Sequence, residues 1–366
     1  MTAPASPVSA HPRRFAAAHA VLEQAVRERA FPGAAYGVLL NKEVLALDSV
    51  GRFTYSPDSP AVTPFTVFDL ASVTKVVATT AIAMLLYDRG VLRLETPLAE
   101  ILPEFAAGPG LNRNRVTLHS LLAHSSGLPG YLRLFERNRT PAAMLDALMH
   151  VPLEAPPGVR AEYSDIGFML LGRALEVLAG DSLSNLFQTQ IATPLQLDTA
   201  RFTPPAEWRS QIPPTENDAT FRHRVIQGEV QDENCFALGG VAGHAGLFAN
   251  ALDILRFACC ILAEGRTATG EQLFRPETIR LFATRETQPR GTSRALGWDT
   301  PSQPSSSGRF FNPSSIGHLG YAGTSLWIDR DRGLAVVLLS NRTWPDRSNA
   351  IREVRPAFHD SIFAAI

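Results

Sequence analysis

Hydrophobic and polar positions along the chain change period several times, and each change marks an element. Residues 13–30 set Phe15, Ala18, Val21, Leu22 and Ala25 at helical spacing, and Pro32-Gly33 closes that helix. Two short apolar runs follow, 34–40 and 44–49, on either side of Asn41-Lys42-Glu43, the pattern of a β-hairpin. The next such pair lies near the other end of the chain, 324–328 and 334–340 around the turn Asp329-Arg330-Asp331-Arg332-Gly333. Between them the pattern is mostly helical. Residues 76–87 are apolar nearly all round and predict a buried helix. A short helix follows Glu95-Thr96-Pro97, with others over 117–124 and 141–150. Residues 167–179 form a strongly apolar helix stopped at Gly180, a natural residue just past a helix C-terminus. Further helices are predicted over 253–264 and 276–283. Two long stretches, 201–234 and 300–317, lack periodicity, and loops of such length in a compact domain are functional or disordered.

Strands at both ends with helices between them imply an α+β fold: an antiparallel sheet flanked by helices, with an inserted, mainly helical subdomain. The expected division is one catalytic domain over 13–344. Segments 13–71 and 284–366 would form its sheet part and 72–283 its helical insert, with 1–12 as a flexible N-terminus. A cleft would form at the seam, and Ser72 falls on the crossing from sheet part to helical part.

Composition changes this picture little. A length of 366 residues, 45% hydrophobic and 19% charged, is ordinary for a globular protein, and a net charge of -1 gives no electrostatic case for nucleic acid or an anionic membrane as partner. The apolar run 76–87 is too short to span a bilayer, and residues 1–12 lack the apolar core of a signal peptide. Three cysteines, Cys235 and the adjacent Cys259-Cys260, have no metal-ligand spacing and cannot all pair. A reducing, cytoplasmic setting is therefore expected.

One composition feature does sharpen the chemistry. Among 34 Lys+Arg there are only two lysines, Lys42 in the hairpin turn and Lys75. Lys75 stands three residues after Ser72 at the head of the buried helix, so hydroxyl and ammonium share one face. Arginine keeps its proton in proteins, whereas a lysine among apolar neighbours has its pKa lowered and can act as a base. The pair has the form of a serine nucleophile with a lysine partner. No Gly-x-Ser-x-Gly elbow, His-Glu-x-x-His helix or Gly-x-x-x-x-Gly-Lys loop competes with it.

Two other segments carry candidate chemistry. Glu162-Tyr163-Ser164-Asp165 tips a polar loop into the helix that follows. A tyrosine near an ammonium can shuttle protons, while the plainer reading is a packed ring with Ser164 or Asp165 as a helix cap. Ile316 to Asp329 brings His318, Gly320 and Gly323 into a strand, where a backbone N–H could face an oxyanion. The acidic stretch Glu229 to Asn234 admits both turn chemistry and substrate contact, and His124 reads as a structural histidine bonding backbone between helices.

Taken in order, Ser72-Val73-Thr74-Lys75, Tyr163-Ser164-Asp165 and His318-Leu319-Gly320 resemble the three motifs of the serine β-lactamase and penicillin-binding-protein superfamily, in its class C-like branch. Leu121-Leu122-Ala123-His124-Ser125-Ser126-Gly127-Leu128 and the glycine-rich 239–248 add to the resemblance, which runs over about residues 31–344. It implies the β-lactamase/transpeptidase-like fold, with acylation of Ser72, Lys75 assisting, Tyr163 passing the proton to the leaving group, and the backbone N–H groups of Ser72 and Tyr321 as oxyanion hole. Asp165, His318, Gly320 and His244 are the implied substrate-binding positions, and no metal or cofactor is implied. Two departures matter. Asp165 replaces the usual Asn; it cannot donate to a substrate carbonyl, but could hold Lys75 or bind a cation. His318 and Leu319 replace the usual Lys-Thr, and the lost cation argues against efficient β-lactam turnover. The implied substrates are D-Ala-type peptides of cell-wall fragments or small carboxylic esters; peptides are favoured only if an arginine takes over carboxylate recognition. A non-catalytic sensor of wall fragments or β-lactams and an acyltransferase are the other readings, and the oligomeric state is left open.

Overall fold

The computed structural model describes residues 14–110 and 112–366; the N-terminal segment expected to be flexible lies outside them. Five antiparallel strands make the main sheet: β1 (Gly33–Leu40), β2 (Glu43–Gly51), β3 (Ile316–Leu319), β4 (Ser325–Asp329) and β5 (Leu334–Ser340). Their order is β2-β1-β5-β4-β3, so the two ends of the chain meet at the β1–β5 pair, from Ala34 opposite Ser340 to Leu40 opposite Leu334.

Alternation along the two central strands explains the layers. Tyr36, Val38, Leu334, Val336 and Leu338 face one side, and there they pack with Phe15, Ala18 and Leu22 of helix α1 (Ala16–Arg27) and with Phe358 and Ile362 at the chain's end. Ala35, Leu39, Ala335, Val337 and Leu339 face the other side, against the large core that holds the helical half. Both sides of β1 and β5 are buried, which accounts for their nearly continuous apolar text.

The helical half contains α2 (Ala81–Asp88), α3 (Asp165–Ala179) and α4 (Ala251–Leu262). The stretch Ala71–Asp88 is apolar and long enough to cross a membrane, but 83% of it is buried inside the protein, as a core helix is. Gly180 stands in the left-handed region (φ 67°) at the end of α3, as its position in the sequence predicts. Residues 201–234 are not one irregular loop: they hold the short strands Arg201–Phe202, Glu216–Asp218 and Arg224–Ile226. Two- and three-residue strands are too short to leave a period in the sequence. The three cysteines are free.

The longest helix to escape the periodicity reading is α5 (Ile351–Phe363). It lies beyond 344, packs against α1 and completes the cover on that side of the sheet. Ile351, Phe358 and Ile362 are its buried face, but Pro356 sits in its interior, and a proline there reads as a break.

Candidate active site

Ser72 is presented by a strained turn. Phe68–Asp69 pairs with the strand Leu247–Ala249, and Ala71 then takes φ 47°, a region most side chains avoid. Asp69 holds that turn: its Oδ1 accepts the N–H of Ala71 (2.8 Å) and its Oδ2 that of Gln231 (2.7 Å). Burial pushes the Asp69 carboxyl up to about 6 against the pull of these two N–H groups. Ser72 follows in a single 3-10 turn, and Lys75–Thr80 continues as wide π-type turns before α2 begins.

The three motif residues converge. Lys75 is fully buried, and its Nζ donates to Ser72 Oγ at 2.9 Å, to Asp165 Oδ1 at 2.6 Å and to the carbonyl of His244 at 3.1 Å. Those three acceptors use all three N–H bonds of an ammonium. Tyr163 Oη lies 2.7 Å from Ser72 Oγ, and Lys75 Nζ stands 4.8 Å from the centre of the Tyr163 ring.

The charge state of Lys75 differs from the expectation drawn from its apolar neighbours. Burial, the largest single influence, lowers its pKa, but the Asp165 carboxylate in contact with it and Tyr163 beside it together turn the net direction upward. Tyr163 is raised as well, by burial first and by Asp165 second, with Lys75 pulling the other way. The resting pair is an ammonium and a neutral phenol. Asp165, expected among the substrate-binding residues, lines the cleft and is also the counter-ion of Lys75.

Tyr163 and Asp165 are placed by the start of α3. Ser164 caps it, with Oγ accepting from the N–H of Gly167 and donating to the carbonyl of Pro129. The N–H of Ser164 donates to Nδ1 of His124, whose ring stacks on Phe168 and lies 4.9 Å from that of Tyr163. Nδ1 therefore carries no proton, and burial holds His124 well below its usual pKa, as suits a structural histidine.

His244 requires a correction. Its side chain is buried and outside the cleft wall, with Nε2 2.9 Å from Asp232 Oδ1; its backbone carbonyl, not its ring, serves the site. The cause is close packing of the glycine-rich segment on α3: a Cβ on Gly172 would sit 2.8 Å from Cα of Gly243. The carbonyls of Gly243 and His244 are thereby delivered to Thr79 and Lys75.

The third motif lines the same cleft. His318 Nδ1 donates to the carbonyl of Leu319 (2.7 Å), so Nε2 is bare, and it is buried without a partner among the described residues. Burial and, after it, the nearby Lys75 ammonium hold His318 well below its usual pKa, so it is neutral. Gly320 packs so tightly that a Cβ would lie 2.5 Å from the carbonyl of Leu70, which sets it beside the Ser72 turn. Tyr321 is half exposed in the same wall, and its N–H donates to no protein acceptor among the described residues.

Around these residues lies a cleft of about 920 Å³. Tyr131, Gln231, Asp232 and Glu233 line it, and Asp232 also caps the short helix Glu233–Ala237, the turn chemistry expected of the acidic stretch. Arg342, Arg347, Arg352 and Arg355 also line it. Arg347 is neutralised by Glu216 and Glu233. Arg342 is not: it donates to the carbonyls of Tyr321 and Ser348, meets no carboxylate, and leaves Nη2 without a protein partner among the described residues.

This geometry has relatives. The sequence profile of the Beta-lactamase family matches residues 18–358. The chain belongs to that family. An Escherichia coli (strain K12) protein provisionally named a D-alanyl-D-alanine carboxypeptidase is 32% identical over 308 residues, covering 76% of this chain and 69% of that protein. A Bacillus subtilis (strain 168) protein named N-acetylmuramyl-L-alanine amidase is also 32% identical, over 309 residues, with 76% and 68% covered. Among solved structures, EstCE1, described as a hydrolase with promiscuous acyltransferase activity, superposes with a TM-score of 0.76 at 21% identity, over 96% of this chain and 99% of that one. A penicillin-binding protein homolog from Caulobacter crescentus gives 0.76 at 21% identity, with 99% of both chains covered. The Beta-lactamase resemblance and the antiparallel α+β fold read from the sequence are thus those of the family.

Sequence reasoning missed Asp69, Arg342 and Arg355. Asp69 had a signal, a carboxylate two residues before a strained turn. The arginines had none, since arginine supplies nearly all of the chain's basic residues.

Proposed function

We propose that this Beta-lactamase-family protein is a serine hydrolase that cleaves carboxylic amides or esters through an acyl-enzyme on Ser72. The observation that carries this reading is the convergence on one oxygen: Lys75 Nζ at 2.9 Å and Tyr163 Oη at 2.7 Å from Ser72 Oγ, at the wall of an open cleft. The reactive form is the pair with one proton removed, best written as a Tyr163 phenolate beside the Lys75 ammonium. Tyr163 takes the Ser72 proton as Oγ bonds to the acyl carbon, and the carbonyl oxygen becomes an oxyanion facing the N–H groups of Ser72 and Tyr321. As the intermediate collapses, Tyr163 returns that proton to the departing amine or alkoxide. Water then repeats the sequence on the acyl-enzyme and releases the acid.

For the substrate, the arginines lining the cleft favour a carboxylate-bearing acyl donor, in keeping with D-Ala-type peptides from wall fragments. Arg342, charged and without a carboxylate partner, is the guanidinium for it, in place of the cation that His318 does not supply. Small esters fit the same nucleophile without this contact.

Intact-mass spectrometry after brief mixing with an activated ester tests the reading. An acyl adduct is expected on the wild type and not on Ser72→Ala. A folded wild type that takes no adduct would remove the hydrolase reading and leave a binding protein.

A further inference from the structure

Helix α5 brings Arg355 against the back of the segment that carries Tyr321. Its Nη2 donates to the carbonyl of Gly320 at 2.7 Å and to that of Thr324 at 2.9 Å. Arg355 is 6% exposed, meets no carboxylate, and has an Nε without a partner among the described residues. A guanidinium held out of water by carbonyls alone is costly, so a purely packing role accounts poorly for it.

The carbonyl it takes is informative. Gly320 C=O and Tyr321 N–H belong to one planar trans peptide unit, in which the two bonds point in opposite directions. A charged donor fixed on the oxygen therefore aims the N–H away from Arg355, and it also polarises the unit, making that N–H a stronger donor. The same N–H is left without a protein acceptor. The rest of the segment is braced against the nucleophile: Gly320 N–H donates to the Thr324 carbonyl, and Thr324 Oγ1 donates to the carbonyl of Leu70, two residues before Ser72. Arg342 bonds the carbonyl of Tyr321, which belongs to the next peptide unit and does not act on this N–H.

We infer that Arg355 is a positioning residue for acyl transfer at Ser72: it fixes the plane of the Gly320–Tyr321 peptide and strengthens its N–H as an oxyanion donor. The inference rests on the reading of Ser72 as nucleophile.

Two variants test it, Arg355→Gln and Arg355→Lys. Lysine keeps the charge but is one bond shorter, so it does not reach Gly320 O and is the variant expected to fold in any case. The readouts are kcat and KM for an activated ester, and the infrared stretch of an isotope-labelled acyl carbonyl on Ser72, whose frequency falls as the oxyanion donors polarise it. In both variants kcat is expected to drop about 10- to 100-fold, somewhat less than loss of a whole oxyanion donor, with KM near the wild-type value and the carbonyl stretch moved to higher frequency. A wild-type stretch and kcat in either folded variant would overturn the inference while leaving Ser72 acylation standing. A wild type that takes no acyl group would overturn both, and intact mass tells the two failures apart.

Discussion

Replacing Asp165 by Asn removes one negative charge from the site while keeping an oxygen in place to accept from Lys75. The charge matters because it raises the pKa of both members of the pair that must lose a proton before Ser72 can attack. With Oδ1 2.6 Å from Nζ, the Coulomb attraction at an effective dielectric of about 20 is about 6 kcal/mol. The Asp165 side chain is 16% exposed, so solvent screens part of this. Even a quarter of it, about 1.5 kcal/mol, exceeds the 1.36 kcal/mol that corresponds to one pH unit. Wild-type kcat/KM for an activated ester should therefore rise with pH along an alkaline limb. In Asp165→Asn that limb should move to lower pH by a unit or more, with a gain of about tenfold or more below the wild-type limb. The assay is a pH-stat profile of kcat/KM for both proteins across the range in which both stay folded. A limb that stays in place, or moves to higher pH, would refute the claim that Asp165 holds the proton on the Lys75–Tyr163 pair.

Three further outcomes follow from the same geometry. Tyr163→Phe removes the proton carrier but no packing, so kcat for an amide should fall by about 10²–10⁴ with little change in thermal stability, checked by steady-state kinetics and a melting curve. Arg342→Gln should raise KM for a peptide ending in a free carboxylate about tenfold or more, the worth of a charge-assisted hydrogen bond, while a neutral ester is turned over as before. Asp218, buried under the N–H groups of Thr220, Phe221 and Arg222 and the Arg222 guanidinium, is held well below the usual carboxyl range by those hydrogen bonds, which overcome the cost of burial. Its stabilisation is thus present above the unfolded carboxyl pKa and lost as pH falls. Asp218→Asn should cost about 3 kcal/mol at neutral pH, with the gap to wild type closing in acid, as denaturant titrations at several pH values would reveal.

What could be read from the sequence, and what could not, divides along the range of the forces involved. The hairpin strands and the β4–β5 pair announced themselves because their faces are buried within a few residues of one another. Ser72, Lys75 and Tyr163 were legible because a helical turn fixes Ser72 against Lys75 and the motif order supplied the third. The charge on Lys75 was not legible: its local text is apolar and predicts a lowered pKa, while the carboxylate that reverses the direction comes from a residue 90 positions away. His244 misled for the opposite reason. A histidine in a glycine-rich segment looks like side-chain chemistry, but the glycines are there to bring backbone close to backbone, and the carbonyl is what reaches Lys75. Helix α5 was hidden by Pro356, although Ile351, Phe358 and Ile362 keep helical spacing across it.

The two departures from the family's motifs act together. Asp165 binds the ammonium of Lys75 so closely that little of that charge is left to attract substrate, and His318 next to it is neutral. Among the described residues, the cleft arginines that meet no carboxylate are instead Arg342, Arg352 and Arg355. The proposed reading therefore expects an anionic group to settle near these arginines rather than beside Ser72. On the proposed reading, substrates whose carboxylate stands well away from the scissile bond are expected to be turned over better than compact β-lactams, whose carboxylate is fixed close to the carbonyl that would be attacked. A series of peptides with the free carboxylate set progressively farther from the cleaved bond should show kcat/KM rising to an optimum in the wild type, and that optimum should flatten in Arg342→Gln.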